Sequence, residues 1–213
     1  MSILVPVVLF LVCYIIGSFP TAYVIGRINH VNIFEKGSGN MGANNVTRAL
    51  GLKWGLMTLG LDSLKGALAV ATARLMMPWD QISASVIGAI AVVIGHNWSF
   101  LASLITRKIR GGKGVATAIG TAFLMAPWQV ILFMLGATAI IVLLTRYVSL
   151  GVLVSTAVGA IWMLVLIAQK PTNVPDSYGI YAVSVAVMIW IRHWKNIVSL
   201  IAGRERRLGE RAS

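Results

Sequence analysis

The feature that most constrains this chain is a series of long apolar runs separated by short segments rich in basic residues. A helix needs about 20 predominantly apolar residues to cross a bilayer, and about 17 is the lower limit. Five runs reach or approach this length, at residues 3–25, 55–76, 82–105, 130–145 and 148–168. Two further apolar runs, residues 115–125 and 179–191, are shorter. Counting all of them as crossings predicts seven transmembrane helices.

The composition supports an all-α integral membrane protein. The chain is 58% hydrophobic and only 11% charged, whereas a soluble domain is typically about 45–50% apolar and about 25% charged. Apolar side chains that face lipid need no protein core around them, while charges inside the bilayer are costly and therefore scarce. We expect residues 1–213 to form a single transmembrane domain.

The basic residues suggest an orientation, because cytoplasmic loops carry an excess of lysine and arginine. With the N-terminus outside, the inner loops and the tail up to Arg211 hold most of the basic residues, and only Lys170 lies clearly in an outer loop. We therefore predict an outside N-terminus and a cytoplasmic C-terminus. We interpret residues 112–126 as a short or partly re-entrant helix near the inner face, and we expect the last span to extend to about Lys195.

The net charge of +12 could indicate nucleic-acid binding. The basic residues, however, interrupt apolar spans instead of lining a soluble surface, so anionic lipid and anionic substrates explain the charge better. The six acidic residues are scattered, so no carboxylate cluster is available to hold magnesium. The single cysteine, Cys13, excludes an intrachain disulfide and a cysteine-based zinc site. We expect no metal and no cofactor.

The first polar stretch with chemical potential is the glycine-rich segment 35–48, EKGSGNMGANNVTR. Glycines allow backbone N–H groups to turn together toward an anion. Ser38, Asn40 and Asn45 add neutral polar groups, and Arg48 adds a cation suited to phosphate. The alternative is a flexible turn between helices.

The second stretch, RGGKGVAT at residues 110–117, opens the short fourth span. A helix N-terminus carries free N–H groups and a partial positive charge, which favours phosphate, and Lys113 adds a full charge. The segment is not a Walker A loop, because Gly114 stands where serine or threonine should follow the lysine. The alternative is a basic membrane-anchoring loop, which is our interpretation of Arg107 and Lys108.

Three further groups of polar residues lie within or at the ends of spans. Asp62 and Lys65 are three residues apart, so they share a helical face and can form either a structural ion pair or a support for the site. His193 and Asn196 have the same spacing near the inner end of the last span, where histidine could bind an anion or move a proton. His96 ends the third span, and like His193 it could instead be an ordinary interfacial residue.

Taken together, these motifs resemble one known family. The stretches GSGNMGANN with Arg48, DSLKG, GHNW, GGKGVAT, and RHWKNI followed by Leu200 and Gly203 occur in the family's order from the end of the first span to the tail. The chain resembles the bacterial PlsY family, the membrane acyl-phosphate:glycerol-3-phosphate acyltransferases. Two departures are Asn44, where the family usually has threonine, and a longer stretch from His96 to Gly111.

The resemblance implies seven transmembrane helices in the bacterial cytoplasmic (inner) membrane, with the active site facing the cytoplasm. It implies transfer of a fatty acyl group from acyl phosphate to the 1-hydroxyl of glycerol 3-phosphate, giving lysophosphatidic acid and phosphate, the first step of phospholipid synthesis. The implied partners are these two substrates and membrane lipid, with no cofactor, no nucleic acid and no obligate protein partner. The rival class is a membrane transporter of a phosphorylated or other anionic solute, which would need charged residues along a through-path.

The resemblance also implies the roles of individual residues. Catalytic roles would fall to Ser38, Lys113 and His193. Substrate would be bound by Gly37, Gly39, Asn40, Gly42, Asn45, Arg48, Gly111, Gly112, Gly114, Thr117 and Asn196. Supporting roles would fall to Asp62, Lys65 and His96, and no residue would bind a metal.

Overall fold

The computed structural model describes residues 3–169 and 173–210. Within these ranges every regular element is a helix, apart from one isolated bridge between Ser99 and Arg110. The predicted all-α fold class is therefore confirmed for the described residues. The chain divides into two compact units, residues 3–124 and residues 125–210, which are described in turn.

Unit 1 is built around three helices that pack on one another, α1, α4 and α5. Its helices are α1 (Leu4–Ser18), α2 (Thr21–Ile28), α3 (Ala43–Leu50), α4 (Leu52–Met76), α5 (Gln81–Asn97) and α6 (Phe100–Thr106). Glycines allow α1 and α5 to approach closely, because a Cβ atom at Gly17 would collide with the Val92 backbone and one at Gly95 with the Tyr14 carbonyl. Small residues commonly serve this purpose where helices meet in membranes.

The first apolar run bends at Pro20, where α1 and α2 meet. Proline has no N–H to donate, so the helical ladder is interrupted there. The carbonyl oxygen of Phe19 accepts hydrogen bonds from the Thr21 amide at 3.0 Å and from Lys65 Nζ at 3.2 Å. Lys65, deep in α4, is thus held by the backbone carbonyl that precedes Pro20.

The apolar run at residues 82–105 forms two helices, and the first ends one residue after His96, where the third span was expected to end. Helix α5 ends at Asn97, and Ser99 begins α6 by accepting a hydrogen bond from the Ala102 amide at 3.0 Å. The Ser99 hydroxyl also donates to the Ser18 carbonyl at 2.5 Å, and the Leu101 amide donates to Ser18 Oγ at 2.8 Å. These tertiary bonds with the end of α1 fix the break.

Unit 2 contains α8 (Trp128–Thr145), α9 (Val148–Ala168), α10 (Tyr178–Arg192) and α11 (Trp194–Ile201). Helix α7 (Val115–Met125) ends at the boundary between the units. Helices α8 and α9 pack together, and the hydroxyls of Thr138 and Ser155 lie 2.7 Å apart between them. After α11 the tail returns to the α8–α9 turn, where the Leu208 amide donates to the Arg146 carbonyl and Arg146 Nη2 donates to the Leu208 carbonyl, both at 2.7 Å.

Five apolar helical segments are long enough to cross a bilayer by length and composition: Leu4–Ile28, Leu52–Met76, Pro78–Asn97, Trp128–Thr145 and Val148–Ala168. Two shorter apolar helices, Val115–Met125 and Tyr178–Arg192, match the two short runs in the sequence. The number of crossings, their orientation and the re-entrant character of residues 112–126 remain predictions. Lys170 and Arg211, on which part of the orientation depends, lie outside the described residues.

Candidate active site

The segment 35–42 is an ordered loop held by the first residues of α3. Gly37 and Gly39 have φ angles of 59° and 64°, in the left-handed region that favours glycine. The Oδ1 atom of Asn45 accepts a hydrogen bond from the Ser38 amide at 2.8 Å and another from the Ser38 hydroxyl at 3.2 Å. Asn45 is buried, and its Nδ2 atom donates to the Ile33 carbonyl at 3.2 Å. Ser38 itself is exposed, so a buried amide fixes a solvent-facing hydroxyl.

The rest of this loop supplies further polar groups before Arg48. Asn40 Oδ1 accepts from the Gly42 amide at 2.8 Å, which closes a tight turn in front of α3. Arg48 lies in the last turn of α3 and is partly buried. Helix α3 packs on α4, where Gly55 leaves room for the Thr47 side chain.

The second glycine-rich loop, residues 111–114, lies against the end of α5. The Gly112 amide donates to the His96 carbonyl at 2.8 Å, and a Cβ atom at Gly112 would collide with the His96 ring. Gly114 has a φ angle of 81°, and its carbonyl accepts the first helical bond of α7 from the Ala118 amide at 2.8 Å. The loop therefore precedes the helix directly, with Lys113 partly exposed beside the free N–H groups of its first turn.

Asp62 and Lys65 form the ion pair that their spacing predicts. Lys65 Nζ lies 2.7 Å from Asp62 Oδ1, and both side chains are buried. His96 Nδ1 lies 3.8 Å from the same oxygen. Neither carboxylate oxygen has a well-aligned hydrogen bond within the described part of the chain, so the attraction is mainly electrostatic. Because the His96 ring also contacts Gly112, the Asp62–Lys65 pair supports the second glycine loop through His96.

Sequence reasoning did not single out Asn97, which is fully buried beside the same loop. A Cβ atom at Gly114 would lie 2.9 Å from Asn97 Oδ1. The amide atoms of Asn97 and the hydroxyl of the buried Thr117 have no hydrogen-bond partner among residues 3–169 and 173–210. Thr117 was expected to bind substrate, but its side chain lies inside unit 1 and its carbonyl packs against Gly66. The only signal for Asn97 in the sequence was its place in the GHNW motif.

In unit 2, His193 lies between two helices, near the end of the last predicted span. Helix α10 ends at Arg192 and α11 begins at Trp194, although the His193 amide and carbonyl continue the hydrogen-bond ladder to Ile189 and Ile197. The His193 ring is buried, and its Nδ1 atom lies 2.8 Å from the Ile189 carbonyl. A carbonyl only accepts, so Nδ1 carries the proton and Nε2 is the basic nitrogen of the neutral ring.

Glu205 is a site residue that sequence reasoning missed. Its Oε1 atom accepts hydrogen bonds from Asn196 Nδ2 and from Ser149 Oγ, both at 2.7 Å. The carboxylate thus fixes the amide of Asn196 and ties the tail to α9. No helical spacing links Glu205 to Asn196, because the chain leaves α11 between them, so no local pattern could have revealed the contact.

The structure brings several predicted residues together within unit 1. Ser38 is hydrogen-bonded to Asn45, and Asp62, Lys65 and His96 lie close together next to Gly112. The flanks of the two glycine loops also meet, because the Arg110 guanidinium lies 4.5 Å from the centre of the Phe34 ring. His193 and Asn196 belong to unit 2. No group of three or more His, Cys, Asp or Glu side chains that could hold a metal ion occurs among the described residues.

Known proteins similar in sequence match nearly the whole chain. A family model described as glycerol-3-phosphate acyltransferase matches residues 7–203. Glycerol-3-phosphate acyltransferase 2 of Moorella thermoacetica is 36% identical over 206 residues, which are 94% of this chain and 96% of that protein. The glycerol-3-phosphate acyltransferase of Halalkalibacterium halodurans is 39% identical over 200 residues, which are 93% of each chain.

Solved structures share the fold as well. The crystal structure of PlsY, an integral membrane glycerol 3-phosphate acyltransferase, in its glycerol 3-phosphate form has a TM-score of 0.82 with this chain at 34% identity, covering 96% of both chains. The lysophosphatidic acid form of PlsY gives a TM-score of 0.81, covering 96% of this chain and 95% of that one. Sequence and fold agree, and the chain belongs to the glycerol-3-phosphate acyltransferase (PlsY) family of integral membrane enzymes.

Proposed function

We propose that this protein transfers a fatty acyl group from acyl phosphate to the 1-hydroxyl of glycerol 3-phosphate, producing lysophosphatidic acid and inorganic phosphate. The observation that carries the proposal is the presence of two glycine-rich loops in unit 1, the first with left-handed Gly37 and Gly39 and the second with left-handed Gly114, each with a nearby cation. Two phosphate-bearing substrates require two anion sites. The glycerol 3-phosphate and lysophosphatidic acid forms of the related PlsY support this choice of substrate and product.

The reaction is a direct acyl transfer. The 1-hydroxyl oxygen of glycerol 3-phosphate attacks the carbonyl carbon of the acyl phosphate, and the bond from that carbon to the bridging oxygen breaks. Inorganic phosphate leaves with the bridging oxygen, while the hydroxyl proton passes to a base. Acyl phosphate is a mixed anhydride with a good leaving group, so the protein contributes mainly positioning and stabilisation of developing charge.

The first loop is suited to positioning glycerol 3-phosphate. Because Asn45 fixes the Ser38 amide and hydroxyl, Ser38 Oγ is oriented before substrate arrives. Arg48 supplies a charge that can bind phosphate oxygens. Gly37, Gly39, Asn40 and Gly42 form the surrounding backbone and side-chain contacts.

The second loop is suited to the phosphoryl group of the acyl donor. Gly111, Gly112 and Gly114 permit close approach of the backbone, and Lys113 stands at the N-terminus of α7. The Lys113 charge and the N–H groups of that first turn would stabilise the departing phosphate. Asp62, Lys65 and His96 support this loop through the contact between His96 and Gly112.

Two groups are suited to accept the hydroxyl proton. One is Nε2 of His193, since the hydrogen bond of Nδ1 to Ile189 leaves Nε2 unprotonated in the neutral ring. The other is a phosphate oxygen of the substrate. Asn196, fixed by Glu205, would orient glycerol 3-phosphate in either case.

We further propose that the active site faces the cytoplasm of a bacterium and that the protein spans its inner membrane seven times. The excess of basic residues in the predicted inner loops supports this orientation. The transporter alternative would need charged residues along a through-path. The deep cation Lys65 instead binds Asp62 and the Phe19 carbonyl, which favours the acyltransferase.

The test is a reconstitution. Purified protein in neutral detergent receives palmitoyl phosphate and radiolabelled glycerol 3-phosphate, with palmitoyl-CoA as an alternative donor in a parallel reaction. We expect labelled lysophosphatidic acid with palmitoyl phosphate only. Product formation with palmitoyl-CoA only would contradict the proposed donor, and absence of product with either donor would contradict the proposed reaction.

A further inference from the structure

A basic cavity lies within unit 1, and none of its lining residues has been assigned to either substrate. It has a volume of about 350 Å³ and is lined by residues of α2, of the 3₁₀ turn Ile33–Glu35, and of the end of α6 with the segment that follows it. The cations lining it are Arg27, Lys108 and Arg110. This volume is at the small end of the range of about 300–1,000 Å³ typical of ligand sites.

The charge of this cavity is not neutralised by its own residues. Three cations face one carboxylate, Glu35, which leaves a net charge of +2. Glu35 Oε1 accepts a hydrogen bond from Asn32 Nδ2 at 2.7 Å, and no ion pair joins it to Arg27, Lys108 or Arg110 in the described part of the chain. The cavity therefore favours an anion.

Arg110 is held in place without using all its donors. Its guanidinium lies over the Phe34 ring, and that ring stacks on Tyr23 with centroids 5.9 Å apart. The Arg110 amide donates to Ser103 Oγ at 3.0 Å. The Nε atom of Arg110 is buried and has no hydrogen-bond partner among residues 3–169 and 173–210. Because Nε has no accessible surface, a molecule in the cavity meets the positive charge of the Arg110 guanidinium and not this N–H group.

Exposed apolar side chains lie next to the cavity. Leu104, Ile105 and Ile109 are all exposed, and Ile109 is 85% exposed. They flank the exposed cations Arg107 and Lys108 along the chain. Apolar side chains interleaved with cations are typical of a segment at the membrane interface, where the former enter the lipid and the latter meet anionic headgroups.

We propose that this cavity binds the phosphate of an anionic glycerolipid headgroup at the membrane surface. Arg27 and Lys108 contact the phosphate oxygens, and the Arg110 guanidinium adds a third positive charge at the cavity wall. Lys108 is then a ligand and not only an anchor. Because Arg110 is directly followed by the loop 111–114, a lipid held here would also steady one of the two glycine loops.

The test uses the full protein in nanodiscs of neutral phosphatidylcholine, with phosphatidylglycerol added in steps and retained lipid counted by native mass spectrometry. The variant Arg27→Gln/Lys108→Gln should weaken phosphatidylglycerol binding about tenfold or more, since each cation near anionic lipid contributes appreciably. The control Lys53→Gln/Arg206→Gln removes the same charge at exposed positions outside the cavity and should bind as wild type. Equal losses in the two variants, or no loss in either, would overturn the proposal.

Two further arms make the result specific. The variant Arg27→Lys/Lys108→Arg keeps both charges and should retain binding, so a loss there would assign the effect to misfolding or shape and contradict a phosphate site. Inorganic phosphate and glycerol 3-phosphate are added as soluble competitors. If either displaces phosphatidylglycerol at an equal concentration, the cavity is a soluble-phosphate site and the lipid assignment is wrong.

Discussion

The Oδ1 atom of Asn45 accepts two hydrogen bonds from Ser38, one from the amide at 2.8 Å and one from the hydroxyl at 3.2 Å. The donor side of the same amide group is bound to the Ile33 carbonyl. A buried residue therefore determines where an exposed hydroxyl points. The proposed reaction depends on that kind of prior orientation.

Asn45→Ala should reduce kcat/KM for glycerol 3-phosphate by about tenfold or more, because losing a buried hydrogen-bond partner costs about 1–3 kcal/mol. The measurement is steady-state acyl transfer at varied glycerol 3-phosphate. Asn44→Ala is the matched control, since Asn44 is exposed on the same helix. Equal activity of the two variants would show that Asn45 does not position Ser38 for catalysis.

Arg48→Ala and Lys113→Ala should each lower acyl transfer severely while leaving the protein folded in detergent. Loss of a charge-assisted phosphate contact costs about 1.5–3 kcal/mol, or roughly ten- to hundredfold in rate or affinity. Lys53→Ala serves as control, because Lys53 is exposed and lies over Trp54 outside both loops. Wild-type activity and affinity in both site variants would refute the assignment of the two anion sites.

Glu205→Ala should lower activity and thermal stability together. The substitution removes the acceptor shared by Asn196 and Ser149, so the Asn196 amide loses its orientation and the tail loses its bond to α9. Thermal unfolding in detergent and acyl transfer are measured side by side. Glu210→Ala removes an exposed carboxylate that accepts from the Arg207 amide, and it should change neither quantity. If Glu205→Ala changes activity and thermal stability no more than Glu210→Ala does, the Glu205 contacts contribute to neither.

The predicted topology can be tested with single cysteines in a Cys13→Ala background. Cysteines at Ser38, Thr106 and Ser199 should resist a membrane-impermeant maleimide in intact cells and react once the inner face is exposed. A cysteine at Asp176 should react in intact cells. Labelling of the Ser38 position from outside would invert the orientation, and labelling from both sides would support alternating access and a transporter.

Patterns local in sequence predicted much of the fold and part of the site. The apolar runs became helices, and the i,i+3 spacing of Asp62 and Lys65 gave an ion pair. These features depend on composition and helical periodicity, which are readable without tertiary structure.

Features that depend on contacts between residues distant in the chain were not predictable from local sequence patterns. The break at Ser99 is fixed by bonds to Ser18, which is 81 residues away. Glu205 reaches Ser149 across 56 residues, and the contact of Arg110 with Phe34 joins two loops that are far apart in the chain. Nothing in the local sequence around these residues specifies their partners.

The most direct test of the proposed reaction follows the bridging oxygen of the acyl donor. Palmitoyl phosphate labelled with oxygen-18 at the bridging position is incubated with the protein and glycerol 3-phosphate, and both products are analysed by mass spectrometry. Attack at the carbonyl carbon predicts lysophosphatidic acid and inorganic phosphate in equal amounts, with all the label in the phosphate. Label retained on a carboxylate oxygen of palmitate, or phosphate release without lysophosphatidic acid, would contradict acyl transfer from acyl phosphate to glycerol 3-phosphate.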